Sequence, residues 1–276
     1  MKKDYFPYII PFAAFLILTY AGAWVPGGIY AVYPLKTLIV GGILLYYRKA
    51  YTELSFHVSR LAIPVGALVF LLWILPEHWV PHLGWSQFNP YPASFTLTKQ
   101  TFETLHRHGL PETLSEALHP LADQEYSTES DFLNALKQTL KKDDFKKYRE
   151  SILQYAVSRQ RPQWQIYFLI AFRLIGAVIV VPIFEELFWR SFVLRWLINE
   201  DFRSVPIGTF SWFSATAVIL AFAFEHHRWF AGIFAGLLYH ALLYYKKDIS
   251  ACVIAHATTN LLLAVYVLLT QQWSYW

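Results

Sequence analysis

Seven apolar runs, most of them near the ~20 residues that carry a helix across a bilayer, constrain this chain more than any other feature. They cover roughly Tyr5 to Trp24, Ile29 to Tyr47, Leu61 to Leu75, Gln165 to Ile198, Phe210 to His226, Trp229 to Tyr245 and Ile249 to Thr270. A soluble domain carries about 25% charged residues, whereas this chain carries 15% against 56% hydrophobic. The fold class expected is therefore an all-α polytopic membrane protein with about seven transmembrane helices. Its 11 Trp and 18 Tyr fit, because such rings collect at membrane interfaces. A net charge of +4 then bears on topology and the lipid bilayer, and no nucleic-acid partner is expected. The lone cysteine, Cys252, excludes an intrachain disulfide.

The runs divide the chain into N-terminal transmembrane helices (1–76), an extramembrane helical insertion (77–162) and a transmembrane core (163–276). Pro26-Gly27-Gly28 ends the first run, Ala50 to Arg60 reads as an amphipathic interfacial segment, and Pro76 to Ser94 as an interfacial loop. The rest of the insertion reads as short amphipathic helices, for example Ser130 to Tyr155 with caps at Ser130 and Asp131. Lys2-Lys3, Arg48-Lys49 with Arg60, Arg195 with Arg203, and Lys246-Lys247 fall on alternate connections. The positive-inside rule makes that side cytoplasmic, with the N-terminus inside and the insertion outside. The fourth run is too long for one bilayer crossing, so it must tilt or break, and Pro182 is the natural break. Gly232 and Gly236 have the spacing of closely packed helices.

Charge inside that fourth run draws attention to Val181–Leu197, VPIFEELFWRSFVLRWL. Ionisable residues in hydrocarbon are costly and mark functional sites by default. Glu186 and Arg190 are one helical turn apart and can pair, which leaves Glu185 pointing elsewhere. The fifth run ends AFAFEHHRW, placing Phe222 one turn before His226 with Glu225 beside it, and the seventh holds HATTN, placing His256 one turn before Asn260. A carboxylate and an imidazole can activate water as general base, and a second imidazole with an amide can stabilise an oxyanion. Each residue also has a plainer role: Glu186–Arg190 as a structural pair, His256 and Asn260 as interhelical glue, His226, His227 and His240 as ordinary histidines. Cys252, four before His256, permits a cysteine–histidine reading, but a buried, inert thiol is the expectation.

EELFWR (Glu185 to Arg190), FAFEH (Phe222 to His226) and HATTN (His256 to Asn260) resemble, in order and spacing, the three motifs of the CAAX-protease and bacteriocin-processing family of glutamate-type intramembrane proteases. The resemblance covers about Leu174 to Leu263. It implies that Glu185 and His226 activate water, that His256 and Asn260 form the oxyanion site, and that Glu186, Arg190 and Phe222 support them. It implies no cofactor and no metal, and a membrane-bound protein or peptide as substrate. LFWRSFVLRWL and DFRSVPIGTF resemble the bacterial branch found with exosortase-like sorting systems. That placement implies the bacterial inner membrane with the insertion periplasmic, a C-terminally sorted substrate, and a sorting-system partner for which the insertion is a docking element. Two alternatives stand beside this reading. One is a zinc hydrolase using Glu185, His226 and His256, a set compatible with catalytic zinc although no HExxH motif is present. The other is a non-enzymatic immunity, scaffold or transport protein.

Overall fold

The computed structural model describes residues 4–24, 28–55, 59–75 and 89–275. Lys2-Lys3, Pro26-Gly27 and most of the expected loop after Leu75 lie outside the described residues. Along the chain, α1 (Phe6–Ala23), α2 (Gly28–Tyr46) and α3 (Ala62–Ile74) come first. They are followed by β1 (Pro92–Phe95), α4 (Lys99–Arg107), α5 (Glu112–Leu118), α6 (Glu129–Thr139), α7 (Lys142–Ala156) and β2 (Val157–Gln160). Then come α8 (Gln163–Trp196), α9 (Trp212–Phe224), α10 (Trp229–Lys246) and α11 (Ile249–Thr270). By length and composition α2, α8 and α11 are long and apolar enough to cross a membrane, and α1, α3 and α9 are shorter apolar helices. The all-α polytopic class expected from the apolar runs is the one observed. The described residues form two compact units, one from within 1–19, 33–85 and 171–276, the other from within 20–32 and 86–170.

In the first unit Val40, Val69, Phe184, Leu187, Val218, Phe222, Leu243 and Ala255 share one buried apolar core. Small residues set how closely its helices approach. Gly236 of α10 lies against Ile219, and a Cβ on Gly232 would come within 2.9 Å of Ala223 Cα, so the spacing seen in the sequence is used to press α10 onto α9. The tightest crossing joins α3 and α11, where a Cβ on Gly66 would sit 2.3 Å from the Ala255 carbonyl oxygen. Thr259 Oγ1 donates to the Gly66 carbonyl there (2.8 Å). Gly66→Ala should therefore force the two helices apart at an overpacking cost of about 1–3 kcal/mol. A thermal melt of the purified variant checks this; an unchanged melting temperature would mean that the crossing can relax freely. Lys247, in the left-handed conformation (φ 53°), closes α10, and Asp248 caps α11 by accepting from Ser250 N (2.9 Å).

The fourth apolar run does not break at Pro182. It is one helix of 34 residues, about 50 Å at 1.5 Å per residue, with wide π turns at Gly176–Val180 and Leu187–Val193. Val181 N donates to Gly176 O, five residues back. This wider turn immediately before Pro182 makes room for the proline ring, which in an α-turn would press on the preceding carbonyl. Near its other end Arg195 is buried rather than free in a loop. Its Nη2 donates to Ser191 Oγ (2.8 Å) and lies 3.8 Å from Glu53 Oε1, and Nη1 donates to Val205 O (3.2 Å). Ser191 and Tyr8 hydroxyls also donate to Glu53. Arg195, counted above among the topology-setting cations, is thus a structural ion.

The second unit packs Phe95, Leu97, Leu105, Leu118, Phe132, Leu136 and Ile152 into its own buried cluster. The stretch read as Ser130 to Tyr155 is two helices, because buried Leu140 turns extended (φ −97°, ψ 149°) and ends α6. Thr128, not Ser130 or Asp131, caps α6, its hydroxyl accepting from Asp131 N (3.0 Å). The sequence did not signal the antiparallel ribbon in which β1 and β2 pair Phe95 with Val157 and Pro92 with Gln160. Burial beside Glu150 pushes the Glu129 carboxyl up to about 7. With its folded value raised, Glu129 stabilises the unit fully below the ordinary carboxylate range, and that contribution is lost as pH rises through about 7. Glu129→Gln should remove this fall, a difference of roughly 2–4 kcal/mol at pH 8. Hydrogen-exchange protection of α6 and α7 at pH 4 and pH 8 reads it, and parallel profiles in the two proteins would sink it.

Candidate active site

The centre of the first unit is a fully buried ion pair on α8. Glu186 and Arg190 are both 0% exposed, and Arg190 Nη1 donates to Glu186 Oε1 (3.3 Å). One turn of separation brings them together, as the sequence spacing requires. A buried pair needs further partners to offset its desolvation, and three helices supply them. The Arg190 guanidinium lies over the Phe222 ring of α9 (4.1 Å) and near the Tyr239 ring of α10 (5.5 Å). From α11, His256 Nδ1 lies 2.9 Å from Glu186 Oε1. That hydrogen bond puts the proton on Nδ1, so Nε2 is an acceptor in the neutral ring and a donor in the imidazolium. Tyr239 stacks on the His256 ring (5.4 Å between centroids, 26° between planes) and donates to Thr259 Oγ1 (2.8 Å). Through Thr259 the chain of donors reaches Gly66, so the tightest helix crossing also fixes the height of His256.

Two further residues are oriented by backbone carbonyls. His226, one turn beyond Phe222, has Nδ1 2.8 Å from the Phe222 carbonyl. A carbonyl accepts only, so Nδ1 holds the proton and Nε2 of the neutral ring is a bare acceptor suited to a general base. Trp73 of α3 meets the ring edge-on (5.4 Å). Asn260 Nδ2 donates to the Ala177 carbonyl (2.7 Å). Ala177 lies in the first π turn of α8, whose shifted ladder exposes a carbonyl to such a donor. His226, His256 and Asn260, with Phe222, line one cavity of about 210 Å³. The structure therefore gathers, from α11 and the end of α9, residues that are far apart in the sequence.

Glu185 is 4% exposed, and its Oε2 is buried without a hydrogen-bond partner. Its strongest electrostatic neighbours are Glu225, Glu186 and Arg190. It is not among the residues lining the cavity, and no hydrogen bond joins it to His226 among the described residues. The two adjacent glutamates thus differ at one oxygen: Glu186 Oε1 holds two donors, while Oε2 of Glu186, like that of Glu185, is buried without a partner. Glu225 accepts from Trp189 Nε1 (3.0 Å).

Among the remaining sequence candidates, His240 Nδ1 bonds the Gly236 carbonyl of its own helix (2.8 Å). Cys252 is buried with its thiol on the Tyr239 carbonyl (3.4 Å), while His256 Nδ1 is on Glu186, so the two form no nucleophile–base pair. Among the described residues no three His, Cys, Asp or Glu side chains gather as a metal ion would require. Tyr239, Thr259 and Trp189 were missed from the sequence. Tyr239 and Trp189 sit in aromatic-rich apolar runs where nothing sets them apart from lipid-facing rings. Thr259 did lie inside HATTN, next to the residue singled out.

Residues 167–262, which contain all three motifs, match the family model described as type II CAAX prenyl endopeptidase Rce1-like. Comparison with curated proteins and with solved structures gives no match. This part of the chain is similar to CAAX-protease domains, and the family indicates a peptidase. Together with the apolar helices, the match describes an integral membrane protein.

Proposed function

We propose that this protein is an intramembrane endopeptidase that hydrolyses a peptide bond of a membrane-associated substrate through water activated by Glu185 and His226. The observation that carries this is the split between adjacent glutamates. Arg190 and His256 both bond Glu186 through Oε1, whereas no hydrogen bond reaches Glu185 among the described residues; Oε2 of each is buried without a partner. A base must be free to take up a proton, and a carboxylate held in a buried ion pair with Arg190 is less free to do so than one without a bonded partner. Water held between Glu185 and Nε2 of His226 would attack the carbonyl carbon, its proton passing to the base and on to the leaving amine. His256 as imidazolium and the second N–H of Asn260 would donate to the oxyanion. Glu186 and Arg190 hold His256 in register, and Phe222 holds both Arg190 and His226.

The finer substrate reading, a C-terminally sorted protein cleaved in a bacterial inner membrane with N-terminus cytoplasmic, rests on the wording of LFWRSFVLRWL and DFRSVPIGTF alone. The activity itself is tested with purified, detergent-solubilised protein on a peptide pool that includes prenylated C-termini, with and without chelator. Cleavage that persists in chelator is expected. Loss in chelator would replace the glutamate mechanism with the zinc one.

A further inference from the structure

We propose that residues 271–275 form a strap across the catalytic cavity that must lift to admit substrate, with Arg228 as its latch. The gating role rests on the peptidase reading, and the strap lies outside the segment 167–262 that the family model matches. After α11 the chain reverses at Gln271, whose backbone is left-handed (φ 59°) and whose N–H donates to the Val267 carbonyl (2.8 Å). The short turn Trp273–Tyr275 follows. It brings Tyr275 into the wall of the cavity that His226, His256 and Asn260 also line, where Tyr275 is 6% exposed. The guanidinium of Arg228, two residues past His226, lies over the Tyr275 ring (3.9 Å), and its Nη2 donates to the Ser274 carbonyl (3.4 Å). From α11, Tyr266 meets the Tyr275 ring edge-on (5.4 Å) and donates to Gln272 Oε1 (3.1 Å).

At about 210 Å³ the cavity falls short of the ~300–1,000 Å³ of pockets for drug-sized ligands, whereas an endopeptidase must seat residues on both sides of the bond it cuts. A wall therefore has to move. The pairs α3–α11 and α9–α10 are fixed at their glycine crossings, where an added Cβ has no room. The strap is joined to α11 through one residue, so rotation at Gln271 carries Tyr275 outward and leaves those crossings intact. Non-glycine residues in the left-handed region are uncommon, and strained backbone of this kind collects at ligand clamps and switch regions. A cation over a ring adds a modest attraction. That is enough to favour the closed strap and weak enough for an arriving peptide to displace it.

The test reads access to the cavity in the intact chain. Leu263 of α11 lines the cavity and is 7% exposed. With Leu263→Cys in place, the rate of reaction with a small water-soluble thiol reagent is timed, and Cys252, at 0% exposure, sets the background. Adding Tyr275→Ala should speed labelling roughly 2–30-fold, the factor that losing a cation–ring attraction implies. Tyr275→Phe keeps the ring and should leave the rate unchanged. Arg228→Gln removes the charge from the other side and should act as Tyr275→Ala does, with thermal melts of all variants excluding a general loosening. With Leu263 native, Tyr275→Ala should lower KM for a long peptide by a similar factor at nearly constant kcat, because a larger fraction of molecules is open. Labelling that ignores Tyr275→Ala would overturn the strap, and so would a KM that rises, which would make Tyr275 a substrate contact. If no peptide is cleaved while labelling responds as expected, the peptidase reading fails and the strap stands.

Discussion

Glu185→Gln is expected to slow peptide cleavage by roughly 10²–10⁴-fold, the usual contribution of a general base, while the protein stays folded. The substitution keeps shape and volume and removes only basicity. Because Glu185 Oε2 has no hydrogen-bond partner, an amide there breaks no bond that the carboxylate makes. Single-turnover cleavage measured beside a thermal melt separates chemistry from folding. A Gln variant that cleaves at the wild-type rate would remove Glu185 from the mechanism, and Glu225, beside His226 and hydrogen-bonded through Oε2 to Trp189, would be the carboxylate to test next. A variant that fails to fold would show that Glu185 is structural.

Arg190→Ala should be the most destabilising single change in the site, at about 3–5 kcal/mol. It leaves Glu186 buried at 0% exposure with a charge that His256 alone must balance, and it strips the guanidinium from the Phe222 face. Most of that cost is the orphaned charge rather than the lost attraction, so it has a signature. The double variant Glu186→Gln/Arg190→Met should be more stable than Arg190→Ala, because replacing both members removes the charge along with its partner. Denaturant or thermal unfolding in detergent provides the cycle. Additive losses would mean that the two residues do not act as a pair.

How much of this was legible in the sequence depends on the kind of interaction. The membrane class was, because seven long apolar runs with few charges leave a bilayer helix bundle as the outcome. The Glu186–Arg190 pair was, because helical spacing is local. The Gly232/Gly236 contact was, because small residues at that period have one common use. What was hidden depended on partners remote in sequence. Arg195 looks like a loop cation until Glu53, 142 positions away by residue number, is found beside it. Pro182 was read by its usual effect on an α-turn, and a π turn cannot be seen in residue types. The ribbon of β1 and β2 was missed because its strands are four residues each and 62 positions apart from end to start.

The π turns of α8 have a consequence for chain length. A residue in an α-helix advances the direction of its side chain by about 100°, and a turn that bonds five back instead of four holds one residue more than regular winding needs. Each such turn, at Gly176–Val180 and Leu187–Val193, offsets the phase of everything after it. The helix is in effect three short rods on one axis, clocked against each other. Deleting one residue within Gly176–Val180 would take out the extra residue the wide turn holds and leave Glu185 and Glu186 facing as before, whereas the same deletion in an α stretch of the helix would swing everything after it by about 100°.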